Sequence, residues 1–184
     1  MLNGIAKCEF RNAKYMRLFI SINVPQELYR YCTQLQSQFP DLRTAKEFHM
    51  TVQFLGDEVD DGMAQKIIDA LSKIKFDPFE IEMGDALPFP NPFNPRGVWI
   101  ECGEPDELMG LAEKIRNQMV ELNLIADKPF KAHITLGRYK RPPFKKPKTV
   151  RGEPHTFIVD YFYLMESNLT PEGPIYKTLA RFPM

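Results

Sequence analysis

Apolar and polar positions alternate from Met16 to Val24 (MRLFISINV), which predicts a strand ended by Pro25. From Gln26 to Phe39 the apolar spacing widens to Leu28, Cys32, Leu35 and Phe39, a helical stripe that Pro40 stops. Strict alternation returns from Phe48 to Phe54. Phe48, Met50, Val52 and Phe54 fall on the face assigned to the core, and His49, Thr51 and Gln53 on the other. Met63 to Ile74 reads as a second amphipathic helix, and Phe79 to Met83 as a strand. A proline-rich loop follows at Pro88 to Pro95, then a strand at Gly97 to Cys102. Pro105 opens a third helix, Asp106 to Leu122, with Leu108, Leu111, Ile115 and Met119 on one stripe. Ala132 to Leu136 alternates again. Thr156 to Met165 and Ile175 to Phe182 close the chain as strands, joined by a Thr-Pro-Glu-Gly turn at 170–173. The order predicts an α+β fold: two pseudo-symmetric lobes of antiparallel sheet, helices outside, a groove between.

Composition narrows the class. The 184 residues suit one domain or two small lobes sharing a core, and 43% hydrophobic with 26% charged residues is ordinary for a soluble protein. No apolar run approaches the roughly 18 residues that would cross a bilayer. Residues 1–15 lack a signal-peptide core, so a cytoplasmic location is expected by default. Cys8, Cys32 and Cys102 are widely spaced without a CxxC, and read as thiols, not as a disulfide frame or zinc site. The net charge is zero, which argues against a protein that coats nucleic acid nonspecifically. Yet Arg138 to Arg151 (RYKRPPFKKPKTVR) holds seven basic residues and no acidic one, with Tyr139 and Phe144 interleaved. By itself this is a solvated loop; beside a site it becomes a rim that attracts phosphate.

The candidate site is a repetition. His49-Met50-Thr51-Val52 and His133-Ile134-Thr135-Leu136 share one frame 84 residues apart, each followed closely by Leu-Gly (Leu55-Gly56, Leu136-Gly137). With 8 threonines in the chain, a given histidine has one at this offset by chance roughly one time in twenty. Two of the three histidines having it points to an internal duplication. Side chains two apart on a strand share a face, so each histidine presents beside its threonine. Two imidazoles about one tetrahedral phosphoryl group can divide proton donation and acceptance, because histidine titrates near neutrality. Threonine hydroxyls can donate to the nonbridging oxygens without adding a competing base. Either motif alone would be read as a buried histidine beside a good strand former; the repetition turns the balance toward chemistry. A zinc site from His49, His133 and His155 is the competing arrangement, but no His-x-His, HExxH or cysteine cluster accompanies it, and His155 beside Pro154 lacks the frame and reads as a surface or loop histidine. No GxSxG or P-loop is present.

These motifs resemble the 2H phosphoesterase superfamily, and within it the prokaryotic RNA 2′,3′-cyclic phosphodiesterases, also called 2′–5′ RNA ligases. The resemblance runs through RLFISINVP, FHMTVQFLG, RGVWIECG, AHITLGR and LMESNLTPEGPIY, nearly the whole chain from Met16. It implies a single two-lobed domain over 16–184, with residues 1–15 as an N-terminal extension or Met16 as the initiator. It implies hydrolysis of an RNA terminal 2′,3′-cyclic phosphate to a 2′-phosphate, with no metal and no cofactor. His49 matches the proton donor, His133 the proton acceptor, Thr51 and Thr135 the phosphate-orienting positions, and Arg138 a basic position beyond the second motif. An RNA 5′-hydroxyl in place of water would give a 2′–5′ linkage. The partner implied is RNA with a cyclic phosphate end, tRNA fragments among the candidates, and the protein is expected to be a monomer. Two other readings remain at this stage: a phosphodiesterase for another cyclic phosphate or a 2′–5′ oligonucleotide, and a non-catalytic RNA-end binder.

Overall fold

A computed structural model describes residues 15–126 and 128–184; apart from Tyr15, the expected extension and Cys8 lie outside the described residues. The chain runs β1 (Met16–Asn23), a 3₁₀ turn at Gln26–Leu28, α1 (Tyr29–Gln36), β2 (Leu42–Thr44), β3 (His49–Val59) and α2 (Asp61–Leu71). It continues through β4 (Phe79–Phe89), β5 (Gly97–Cys102), α3 (Asp106–Glu121), β6 (His133–Tyr139), β7 (His155–Val159), β8 (Tyr161–Thr170) and β9 (Gly173–Pro183). Local chemistry sets the helix ends. Asp60 caps α2 by accepting from the Met63 amide at 2.7 Å, and Asp106 and Glu107 place negative charge at the start of α3. Asn123 takes a left-handed φ of 60° just past α3. No helix among the described residues is long and apolar enough to cross a membrane.

The strands form one antiparallel sheet in the order β7-β4-β5-β6-β3-β1-β8-β9, with β2 also on β6. Its midpoint is the β6–β3 pair, where Met50 lies opposite Ile134. Those are the middle residues of the two His-x-Thr triplets, so a pseudo-twofold passes between them. It exchanges β3 with β6, β1 with β5, β8 with β4 and β9 with β7. The lobes are therefore interlaced: β4 follows the first motif in sequence but pairs in the second lobe, while β8 follows the second motif and pairs in the first. The helices are exchanged too, α1 packing on β6 and α3 on β3.

Asp160 alone separates β7 from β8, which stand six strand spacings apart in the sheet order. In a flat sheet that is about 29 Å, far beyond the reach of one linking residue. The sheet is accordingly curled into a half-barrel. The closure is sealed by Phe76, just before β4, and Phe79 at its start, and by Phe162 and Phe182 on β8 and β9, with Phe76 and Phe162 5.9 Å apart and Phe162 stacked on Phe182 at 4.9 Å. The single strand expected over 156–165 is thus two strands in different lobes. The loop expected from Pro88 begins after Phe89, since Pro88 still pairs with Val98.

Each motif strand carries a bulge at the same motif position. Ser21 pairs with Thr51 and Ile20 with Gln53, so Val52 is passed over; Trp99 pairs with Thr135 and Val98 with Gly137, so Leu136 is passed over. A one-residue bulge inverts the alternation beyond it. Two expectations are corrected by this. Phe54, assigned to the core, is 40% exposed with the Arg17 guanidinium 4.4 Å from its ring centroid. Gln53, assigned to the motif face, is 5% exposed and donates from Nε2 to the Leu124 carbonyl at 2.8 Å.

Candidate active site

His49 and Thr51 are half-buried on β3, and His133 and Thr135 on β6, while Met50 and Ile134 between them are fully buried. All four site side chains therefore project from the face opposite the core. Antiparallel pairing about Met50–Ile134 sets His49 level with Thr135 and His133 level with Thr51. The two histidines occupy diagonal positions, a spacing of about 7–8 Å between such neighbours and somewhat less at the β-carbons. A tetrahedral phosphoryl group fits between two such rings.

His133 has a fixed orientation. Its Nδ1 lies 2.8 Å from the Lys131 carbonyl, an acceptor only, so Nδ1 carries the proton and Nε2 is left to the site. Trp99, opposite Thr135, packs against the ring at 4.5 Å and stacks on Phe89 at 4.7 Å. Lys131 bridges to Glu101 at 2.9 Å and stands 5.4 Å from the Trp99 ring centroid. On the other side of the axis, His49 is flanked by Phe19 at 5.0 Å and, edge-on, by Tyr176 at 4.9 Å. Ser21, opposite Thr51, is buried and donates from Oγ to Asn23 Oδ1 at 3.0 Å. Because of the Leu136 bulge, Arg138 returns to the motif face three residues after Thr135. Its guanidinium lies 5.3 Å from the Phe89 ring centroid.

Burial dominates the electrostatics. His49 is pushed down to about 4, first by desolvation and then by the charge on His133. The rings are thus close enough that protonating one opposes protonating the other. His133 is also lowered by desolvation; its bond to Lys131 opposes this, while the charges of Arg138 and Lys131 add to it. Tyr176 is raised by burial, with Arg138 acting against the rise, which places Arg138 within electrostatic reach of both lobes' aromatic walls.

The sequence-predicted site residues His49, Thr51, His133, Thr135 and Arg138 are together on one face. His155 is elsewhere, on β7, stacked on Tyr31 at 3.9 Å. Among the described residues no three His, Cys, Asp or Glu side chains are grouped to hold a metal ion. Sequence reasoning missed Phe19, Tyr176, Trp99, Phe89, Lys131 and Ser21 as neighbours of the motifs. Phe19, Ser21, Trp99 and Tyr176 lie in segments that carry the family resemblance, but no local pattern marked them as neighbours of the motifs.

The model of the family described as LigT like phosphoesterase matches the chain twice, at residues 18–99 and 100–176. The chain belongs to this family, and the two matches are the two interlaced repeats. It is 36% identical over 179 residues to the RNA 2′,3′-cyclic phosphodiesterase of Archaeoglobus fulgidus, covering 91% of this chain and 99% of that protein. With the Thermotoga maritima protein of the same name it is 32% identical over 175 residues, covering 89% and 93%. A Thermus thermophilus crystal structure superimposes with a TM-score of 0.80 at 29% identity, over 91% of this chain and 97% of that one. Escherichia coli LigT crystallised with 3′-AMP shares the fold at a TM-score of 0.77 and 24% identity, over 92% and 98%.

Proposed function

We propose that this protein hydrolyses the 2′,3′-cyclic phosphate at RNA 3′ ends to a 2′-phosphate without a metal. The observation that carries the reading is the pair of imidazoles set diagonally about the Met50–Ile134 pairing, each beside the other motif's threonine. Water attacks phosphorus and gives its proton to His133 Nε2; the P–O3′ bond breaks, and O3′ takes a proton from His49. Thr51 and Thr135 hold the nonbridging oxygens, and Arg138 adds positive charge at the rim. An RNA 5′-hydroxyl entering in place of water forms a 2′–5′ linkage. The names of the Archaeoglobus and Thermotoga relatives support the substrate class.

Lys131 and Arg138 disfavour a charged His133 and keep its Nε2 lone pair available, which supports His133 as acceptor. One observation favours the mirror assignment: His49, lowered by burial to about 4, is the ring more reluctant to hold a proton. A phosphate anion between the rings offsets that reluctance by supplying the countercharge.

His49→Ala and His133→Ala should each reduce turnover on an RNA 2′,3′-cyclic phosphate by on the order of 10² to 10⁴, with the double variant little worse. Excess EDTA should leave the wild-type rate unchanged; loss restored by zinc or manganese would replace the two-histidine mechanism. A substrate with a more acidic 3′ leaving group should rescue His49→Ala and not His133→Ala. The opposite rescue would establish the mirror roles.

A further inference from the structure

The pseudo-twofold breaks beyond the motif strands. The first repeat passes from β3 through α2 to β4, whereas the second passes from β6 to β7 through residues 140–154 with no helix. In place of the helix stands the basic segment, seven cations and no carboxylate from Arg138 to Arg151. Beside it, residues 90–96 (PNPFNPR) link β4 to β5, adding Arg96 and again no carboxylate. The two loops are joined: the Tyr139 amide donates to the Arg96 carbonyl at 2.9 Å, and Lys146 Nζ lies 5.0 Å from the Phe93 ring centroid.

Their tips present aromatic rings to solvent. Phe93 is 79% exposed and Phe144 94%. Three prolines in each stretch (Pro90, Pro92 and Pro95; Pro142, Pro143 and Pro147) restrict the backbone that carries these rings. The loops are also continuous with the site, because Arg138 lies over Phe89, Phe89 stacks on Trp99, and Trp99 packs on His133. A protein-binding surface would gather aliphatic area around such rings. Here each ring is set among cations, the arrangement that holds single-stranded nucleic acid by stacking and phosphate contacts.

We propose that these two loops form a tract for single-stranded RNA, taking the nucleotides on the 5′ side of the reacting phosphate. Phe93 and Phe144 stack bases, and Arg141, Lys145, Lys146 and Lys148 face the backbone. The proposal rests on the RNA phosphodiesterase reading, and its test separates the two. Binding of a ten-nucleotide single-stranded RNA ending in a 3′-hydroxyl is measured by fluorescence anisotropy on the full chain. A duplex of the same sequence and phosphatidylserine vesicles serve as competitors. Phe93→Ala/Phe144→Ala should weaken single-strand binding on the order of tenfold or more. Lys145→Ala/Lys146→Ala/Lys148→Ala should flatten the log–log salt slope by about 2. In hydrolysis, kcat/KM on a cyclic-phosphate oligonucleotide should fall with the double variant while that on a cyclic mononucleotide stays unchanged. Wild-type-like binding by the double variant, or competition by the vesicles stronger than by single-stranded RNA, overturns the tract. Lost binding with no hydrolysis of either substrate by the wild type supports the tract and overturns the phosphodiesterase reading.

Discussion

His49 is buried more deeply than His133, and the difference has a signature in pH. Both rings are lowered, so in the free protein both limbs of a kcat/KM profile should lie on the acid side of 6.5, with His49 titrating at about 4. Bound phosphate stabilises each protonated ring and raises both, so the kcat profile should be displaced to higher pH than the kcat/KM profile. Coincident profiles would mean that the substrate's charge does not sit between the rings. Folding carries a matching effect. Between pH 6.5 and about 4 an unfolded His49 takes up a proton that the folded ring refuses, so stability falls as pH is lowered through that window and levels off below it. His49→Asn should flatten this part of a denaturant-midpoint series.

At the scale of elements, each bulge is held by the other repeat. Gln36, buried on α1, donates from Nε2 to the carbonyls of Ala45 and Leu136, both at 2.8 Å, and the Ala45 amide also reaches Leu136 at 2.8 Å. Leu136 is the bulged residue that returns Arg138 to the site. In the first repeat Gln53 reaches across to Leu124, just past α3. Gln36→Ala leaves the Ala45 carbonyl without this donor and should cost about 1–3 kcal/mol in denaturant unfolding. Activity on a cyclic mononucleotide should fall several-fold as the second motif loses its fixed path. Unchanged activity at reduced stability would confine Gln36 to a structural role. The two Leu-Gly pairs that look alike in sequence do different work. Gly56 adopts φ +127°, which side chains disfavour, while a Cβ on Gly137 would lie 2.5 Å from the Arg43 carbonyl of β2.

For the whole molecule, interlacing makes the halves interdependent. β4 has its partners β5 and β7 in the second repeat, and β8 has β1 in the first. Residues 16–184 should therefore unfold in one transition, with Trp99 fluorescence in the second lobe and far-ultraviolet circular dichroism coinciding. A fragment ending at residue 96 should fail to fold, because it exposes both sides of β4. Separate transitions would indicate lobes that are stable independently.

The sequence by itself located the helices, most strands and the pair of histidine motifs. Periodicity located the helices and most strands because burial of one face imposes a period of two or of 3.6 wherever the backbone is regular. The repeated His-x-Thr announced the histidine pair because a duplicated unit puts like residues at like positions on like strands. What periodicity could not carry was any departure from regular backbone. The bulges at Val52 and Leu136 moved Phe54, Gln53 and Arg138 to faces that simple alternation does not give, and Leu42–Thr44 is too short to show a period. Nor could it carry strand neighbours. Tyr176 is brought beside His49 by the exchange of strands between lobes, and Trp99 beside His133 by the pairing of β5 with β6, over separations of 127 and 34 residues. Only tertiary structure decided these, since pairing between distant strands is set by how the whole core is buried, not by any local pattern.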